Sequence, residues 1–376
     1  MNTPDKKLPL LFSTTFMFAA TALVSLIVVP WYGFTHGYSA TAWGIFALFW
    51  LLNGLSITAG YHRLWAHSTY KAHPALRWFL AIWGAQTLQN SILVWTAQHR
   101  NHHKYVDQND KDPYSAGKGL WYSHIGWMLR DYPSAETDFK NVPDLKRDPI
   151  VMWQHRWYWP LTAFMNIGLP MLLGWALGEF WGIVLLAGVL RLFVAHHLTF
   201  FINSLAHFWG KQTYTEKNSA RDNWVLALLT WGEGYHNFHH LFQNDYRNGI
   251  RWWQFDLTKW FINVCRVTGL ASGLRRVPKF RILRARLTME FIRAERKVQG
   301  SALDQNWKTL IEQEYSQFKN TIQEWQELQA ERANEVSEKL INRWQKTALH
   351  THVKELEYRL KMQRRRLALI SVSLVK

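Results

Sequence analysis

The chain has one cysteine, Cys265, in 376 residues. That excludes disulfides within the chain, an iron–sulfur cluster held by four thiolates and any cysteine-based zinc site. Acidic residues are also scarce: 27 Asp and Glu stand against 44 Lys and Arg, for a net charge of +17. Such a surplus points to nucleic acid, anionic lipid or an anionic substrate. With no zinc-finger spacing and no RNA-binding aromatic motif, a nucleic-acid partner drops out, and lipid headgroups or a phosphate-bearing substrate stay. The His-Glu-x-x-His of zinc hydrolases is missing, and so is the pair of Glu-x-x-His motifs that soluble carboxylate di-iron proteins use. No small-residue cleavage site follows the polar start Met1 to Lys7, so the apolar run behind it reads as a retained anchor.

What is abundant is apolar and aromatic. The 23 Trp and 14 Tyr suit a lipid–water boundary, where one end of a ring wants lipid and the other wants water. The mean hydropathy of −0.22 is low because a charged C-terminal quarter dilutes an apolar front. Leu8 to Trp31 and Ala42 to Gly60 are each close to the ~20 residues of a bilayer crossing. Trp159 to Leu177 and Trp181 to Ala206 form a second pair. The links inside both pairs carry no Lys or Arg. Lys6, Lys7, Arg63, Lys71 and Arg77 flank the first pair, and Arg147, Arg156, Lys211 and Lys217 the second. By the positive-inside rule the outer ends of all four spans, and both termini, face the cytoplasm. Arg191, His196 and His197 lie within the last span, so that helix lines something polar. Ala75 to Ala97 is apolar but broken by Gln86, Gln89, Asn90 and Ser91, and reads as an amphipathic interfacial helix.

The expected fold class is an all-α integral membrane protein. Four transmembrane helices carry a cytoplasmic helical cap (residues 61–158 and 207–277) that holds a histidine-rich dimetal site. A C-terminal helical extension follows over 278–376. In the cap, Trp252 to Leu270 reads as an amphipathic helix on the membrane surface. In the extension, Arg275 to Lys297 reads as a basic amphipathic helix at an anionic bilayer face. After a break at Gly300, Asp304 to Leu369 repeats apolar residues at helical spacing, as in a helical hairpin or coiled-coil arm.

Eight histidines fall in three clusters: His62 and His67; His99, His102 and His103; His236, His239 and His240. Imidazole is the commonest protein metal ligand, and eight exceed what one ion can use, so two ions are expected. In each His-x-x-His-His the three rings share one helix face. The five-residue step from His62 to His67 does not fit a regular helix. His62 is therefore expected to end the second span, with His67 reaching in from the turn beyond it. His207 adds a further ligand, with Asn203 four residues earlier bound through water or supporting the ligands. His73, His124, His155, His196 and His197 are assigned to packing, ligand support or a substrate channel. So many nitrogens leave copper and iron as redox choices. A membrane setting is compatible with oxygen-dependent attack on an alkyl C–H bond, which these residues alone do not establish.

These motifs together resemble the membrane fatty-acid desaturases, most closely the acyl-CoA delta-9 (stearoyl-CoA) branch of bacterial type. The likeness runs from about Leu8 to Val277. It rests on Gly60-Tyr-His-Arg-Leu-Trp-Ala-His67, His99-Arg-Asn-His-His-Lys104, Ser123-His-Ile-Gly-Trp127, Asn203-Ser-Leu-Ala-His207 and Gly232-Glu-Gly-Tyr-His-Asn-Phe-His-His240. The resemblance implies two irons on nine histidines: His62, His67, His99, His102, His103, His207, His236, His239 and His240. It implies Asn203 at one iron through water. It also implies O2-dependent insertion of a cis double bond into a saturated acyl thioester such as acyl-CoA. Asn90, Trp95 and Thr199 are then expected along a narrow kinked substrate tunnel or at its mouth, and Arg130 at the CoA phosphates. Thr96-Ala97-Gln98 replaces a charged pair found in animal enzymes, which leaves the acyl carrier open. No haem-binding His-Pro-Gly-Gly segment is present, so electrons are expected from a separate ferredoxin, cytochrome b5-like protein or reductase. The expected location is a bacterial inner membrane, with the active site on the cytoplasmic side. A hydroxylase or alkane monooxygenase on the same scaffold, and a non-catalytic metal-binding membrane protein, are the alternatives.

Overall fold

A computed structural model describes residues 8–299, 305–337 and 343–373. Met1, Lys6, Lys7, Gly300 and Asp304, named above, lie outside the described residues. The fold is mostly helical. Among the described residues the one sheet is a two-residue antiparallel pairing of Lys71–Ala72 with Ala271–Ser272.

The chain forms two compact units. One comprises residues up to Gln212 together with Asn218–Arg276; the other comprises Thr213–Lys217 and the chain from Val277 onward. In the first, three helices are long and apolar enough to cross a membrane: Phe12–Thr35, Ala40–Ala66 and Phe180–Phe208. The expected span at Trp159–Leu177 is a run of helical segments over residues 158–176. Pro160, Asn166 and Pro170 dilute it, and it is not among the three helices of sufficient length and hydropathy.

Each of these four helical runs contains a stretch of π-helix, at Val24–Val28, Ser56–Ala66, Phe164–Gly168 and Val184–Leu190. A π turn widens the helix and shifts the register of everything after it. The second is the longest and carries His62. The helix therefore does not stop at His62 as expected but continues to Ala66.

Ala75 to Ala97 is two helices, not the single interfacial one the sequence suggests. Pro74–Ala85 ends at Gln86, and Ile92–Tyr105 starts after Ser91, whose hydroxyl caps the new helix at Val94 N. Leu88 and Asn90 turn the chain with φ of 52° and 71°. Gln86 holds the break in place: its Nε2 donates to Met165 O at 2.8 Å and its Oε1 accepts from Asn53 Nδ2 at 2.8 Å. The first of these helices packs closely on the second span, where the Tyr61 ring lies over Gly84 and any side chain there would collide with it. The amphipathic stretch Trp252 to Leu270 is helical only over Leu257–Val267, where Asp256 caps it by accepting from Lys259 N.

Arg191 is fully buried in the last span. An arginine at membrane depth needs every N–H satisfied. Its guanidinium donates to Ala187 O, Asn53 Oδ1, Gln86 O, Asn166 Oδ1 and Gly188 O at 2.7–3.2 Å. All five acceptors are neutral, and they tie the second and last spans to the 158–176 run and to the break at Gln86.

The second unit is built from Lys279–Gln299, Gln305–Ser337 and Arg343–Ser373. Phe280, Leu287, Phe291 and Ala294 of the basic helix are buried against Ile311, Phe318, Leu356, Leu360 and Leu367. The apolar face expected at an anionic bilayer is thus covered by the two helices that follow. Burial against them removes that face from water without lipid.

Arg191→Leu should strand the Asn53, Asn166 and Gln86 oxygens. At about 1–3 kcal/mol for each orphaned buried acceptor, thermal unfolding in detergent should fall by roughly 5 °C or more. An unchanged midpoint would show that the network contributes no stability.

Candidate metal centre

Four chain segments deliver nine imidazoles to one place. His62 lies in the π stretch of the second span and His67 in the turn that caps it, as expected, with His67 N bonded to His62 O, five residues back, at 3.1 Å. A five-residue hydrogen-bond period keeps positions five apart on one side of the helix. That is the physical reason a spacing unsuited to a regular helix works here. The Ile92–Tyr105 helix supplies His99, His102 and His103, the end of the last span supplies His207, and the short helix His236–Leu241 supplies the remaining three.

The rings separate into two adjacent groups. His62, His67, His99, His103 and His239 form one; His102, His207, His236 and His240 form the other; within each, the ligating nitrogens all lie within 4.8 Å of one another. Nε2 atoms face Nε2 atoms throughout. The separations are 3.0 Å for His62–His239, 2.9 Å for His67–His99 and 2.9 Å for His103–His239 in the first group. They are 3.1 Å for His207–His236, 3.0 Å for His236–His240 and 3.3 Å for His102–His240 in the second. For a metal–nitrogen bond of about 2.1 Å, two ligands at right angles lie about 3.0 Å apart.

Hydrogen bonds to the other ring nitrogen decide what those Nε2 atoms are. His62 Nδ1 lies 2.9 Å from Glu233 Oε2, and His102 Nδ1 lies 2.9 Å from Asp112 Oδ1. His207 Nδ1 lies 2.7 Å from Ser219 Oγ, which itself donates to Asp107 Oδ1 at 2.6 Å and so accepts from the ring. In each case Nδ1 carries the hydrogen and Nε2 carries a lone pair. Lone pairs aimed at one another across 3 Å repel unless a cation lies between them. The donor set therefore fits two metal ions, five nitrogens at one and four at the other.

A second layer of buried charge braces the first. Arg63 donates to Glu233 Oε1 at 2.9 Å, contacts Asp256 Oδ1 at 3.0 Å and donates to Tyr246 O at 2.7 Å. Asn248 Nδ2 reaches Glu233 Oε2 at 2.7 Å. Burial pushes the Glu233 carboxyl up, but the Arg63 charge and the hydrogen bonds from His62 and Arg63 outweigh it and hold it below the usual carboxylate range. Burial, followed by repulsion from neighbouring groups, pushes His67, His99, His103, His236, His239 and His240 well below the usual imidazole range. These rings are neutral at physiological pH, the form that binds metal.

One face of the double cluster opens on a cavity of about 850 Å³, lined by His62, His99, His102 and His236. Asn90, Trp95, Arg130, Thr199 and Asn203 all line the same cavity. Trp95 stacks on His99 with ring centres 4.7 Å apart. Thr199 Oγ1 accepts from Gln89 Nε2 at 3.0 Å. Arg130 donates to Leu8 O at 2.6 Å. Met17, Phe18, Ile57, Phe200 and Ile202 add an apolar wall. His73, His124, His155, His196 and His197 belong to neither group of rings. Each is instead hydrogen-bonded within the fold, as in His124 to Ser204 and His197.

The sequence reading missed Glu233, Asp112, Asp107, Ser219 and Asp256. Glu233-Gly-Tyr-His236 is a lone Glu-x-x-His whose acid faces a ring from another helix, so only the pairing with His62 reveals its role. Arg63 was read as a cytoplasmic flank charge, yet it is buried, and a buried guanidinium needs carboxylates. That requirement was the available signal for Glu233 and Asp256.

The family model described as fatty acid desaturase matches residues 40–264. A probable acyl-CoA desaturase of Schizosaccharomyces pombe is 48% identical over 236 residues, 62% of this chain and 49% of the relative. Acyl-CoA desaturase 1 of Saccharomyces cerevisiae is 39% identical over 288 residues, 76% of this chain and 56% of the relative. An sn-2 palmitoyl-lipid 9-desaturase of Nostoc sp. is 36% identical over 262 residues, 68% of this chain and 86% of the relative. The chain thus spans about half the length of the two yeast relatives.

Asp112→Asn removes the charge that holds His102 and should weaken metal affinity about 10–100-fold while the chain still folds; a metal titration with elemental analysis checks this. The metal-free chain should lose stability as pH falls below about 6.5, where its unfolded histidines take up protons that the buried rings resist. A midpoint flat between pH 7 and pH 5 would contradict this.

Proposed function

The chain belongs to the fatty acid desaturase family, and from that premise we propose that it desaturates a saturated long-chain acyl thioester, acyl-CoA, with O2 and two external electrons. The proposed product is a cis double bond at the delta-9 position. The observation that carries this reading is the convergence of nine Nε2 atoms, in two groups, beside a largely apolar cavity that four of the rings line. In the reading, iron binds both groups. His62, His67, His99, His103 and His239 hold one ion, and His102, His207, His236 and His240 hold the other, with Asn203 completing the smaller set through water. Bound iron would supply the activation of O2 that an unactivated C–H bond requires.

The chain's own residues do the rest. The reaction is R–CH2–CH2–R′ + O2 + 2 e⁻ + 2 H⁺ → R–CH=CH–R′ + 2 H2O. Placement of one methylene pair out of many depends on how far the chain can enter. A cavity of this size lies within the ~300–1,000 Å³ typical of enclosed ligands. Met17, Phe18, Ile57 and Phe200 favour an alkyl chain and exclude water. Trp95, held against His99, and Thr199, held by Gln89, narrow the passage beside the rings. Asn90 and Arg130 serve the polar end of the substrate. Glu233, Asp112 and Ser219 keep the rings turned so that their lone pairs stay on the reacting side. Electrons come from a separate one-electron carrier, such as a ferredoxin or a cytochrome b5-like protein, or from a reductase.

The proposed setting is a multi-pass membrane protein with four spans. Its cap (61–158 and 207–277) and both termini are cytoplasmic, and residues 278–376 form an extension. The three apolar helices and the placement of Lys and Arg support this arrangement. We keep a bacterial inner membrane as the proposed host membrane. An oxygen-inserting hydroxylase would use the same rings; the names of the relatives favour desaturation.

Expression in a host that lacks unsaturated-lipid synthesis tests the reading. Gas chromatography with mass detection should find chains two mass units lighter, with the double bond at carbon 9. Chains sixteen units heavier would mean hydroxylation, and unaltered chains with metal bound would mean no turnover. His102→Ala should abolish the product, by at least 100-fold, while the protein still inserts and its iron content falls.

A further inference from the structure

Seven of the nine imidazoles are buried; His103 and His240 alone are partly exposed. Neither lines the substrate cavity, whose wall is formed by four other rings of the set. The double cluster therefore has two sides, one turned to the cavity and one turned to the surface. On the surface side, His103 and His240 stack face to face, with ring centres 4.5 Å apart and planes at 16°. One belongs to the group of five rings and the other to the group of four.

We propose that this stacked pair is the port through which electrons enter, and that an acidic one-electron carrier protein docks over it. The inference rests on the metal-centre reading above and adds the route. Two electrons per turnover must reach the ions, and among the described residues nothing other than the imidazole clusters suits a redox group. A carrier must bring its own centre close to the ions without entering a cavity filled by substrate. The surface edge of His103 and His240 meets both demands. With iron held by the rings, each delivered electron would oxidise one carrier molecule and would be taken up as a one-unit reduction at the centre. Two deliveries supply the pair that joins two protons and the two hydrogens of the substrate in turning O2 into two waters. Because each ring of the pair belongs to a different group, one docking position serves both ions.

The surroundings state the partner's chemistry. Lys104 follows His103 directly and is exposed. Its Nζ lies 4.9 Å from the centre of the Tyr105 ring, and Lys111 Nζ lies 5.2 Å from the same ring. Two ammonium groups thus share one aromatic ring, on the residue that follows Lys104 in the helix carrying His103. Leu241, next to His240, is 37% exposed and adds an apolar contact. Cations around a small apolar patch favour a partner whose redox centre is ringed by carboxylates, and speed its approach.

Light-driven injection tests the route. Cys265 is the one native thiol and is buried, so Lys104→Cys and Glu136→Cys each add a single reactive thiol for a tris(bipyridine)ruthenium label. Glu136 is exposed and lies on the cavity side. In full-length, iron-loaded protein, flash reduction from position 104 should be at least tenfold faster than from position 136. Equal or slower reduction from 104 at full iron content overturns the port and leaves the metal centre standing. Protein that binds no iron by elemental analysis overturns the metal-centre reading, and the port with it. For the partner, Lys104→Glu should lower the rate constant for reduction by a reduced [2Fe–2S] ferredoxin at least tenfold, with iron content and reduction by dithionite unchanged. An unchanged ferredoxin rate, or no reduction of the unsubstituted protein by ferredoxin, overturns docking by an acidic carrier.

Discussion

Nine nitrogen lone pairs aimed at one another across about 3 Å are the constraint on which this structure depends. Neutral imidazoles do not gather this way unaided. Three of the rings have their Nδ1 hydrogens committed to Glu233, Asp112 and Ser219. With that nitrogen occupied, the ring can present only a lone pair to the centre. Protonation would relieve the repulsion, but at His67, His99, His103, His236, His239 and His240 burial and the neighbouring groups oppose it. A cation between the nitrogens is the remaining way to satisfy them. The four segments that carry the rings are far apart in sequence, so whatever satisfies the lone pairs also ties those segments together.

Two buried arginines show how differently the chain treats charge in its two settings. Arg63, at the end of the second span, is matched by the carboxylates of Glu233 and Asp256. Removing one partner of such a set leaves an uncompensated charge, which makes the arrangement rigid as well as costly to alter. The rigidity passes to His62 through Glu233, which accepts from both. Arg191, deeper in the last span, meets only amide oxygens, from side chains and carbonyls on four segments. Its role is to join helices; that of Arg63 is to orient a ring.

Helix geometry connects these features to the centre. The π stretch over Ser56–Ala66 brings His62 and His67 to one side and places Arg63 against its carboxylates in the same turn. A regular helix would rotate one of the three away. The break between Pro74–Ala85 and Ile92–Tyr105 is the second device. By turning the chain back it sets His99, His102 and His103 beside the rings of the second span and encloses the cavity between them. Substrate and electrons can then approach from opposite sides of the same nine rings.

Much of this was legible in the chain. The helical class, three of the expected spans and the family follow from long apolar runs and from His-x-x-His-His motifs. These are local signals: hydropathy adds up over consecutive residues, and a three- or four-residue spacing defines one helix face. The histidines of the clusters, His207 and Asn203 could be named because a motif marks them. Tertiary structure alone decided the rest. It decided how the rings divide into groups of five and four, and that a π turn aligns His62 with His67. It set Glu233, Asp112 and Asp107 behind the rings, left two rings at the surface, and covered the basic helix near residue 290 with its own neighbours. The physical reason is the same in each case. A lone pair's direction, a buried charge's partner and a ring's exposure are set by atoms that are near in space and distant in sequence, and no local pattern encodes them.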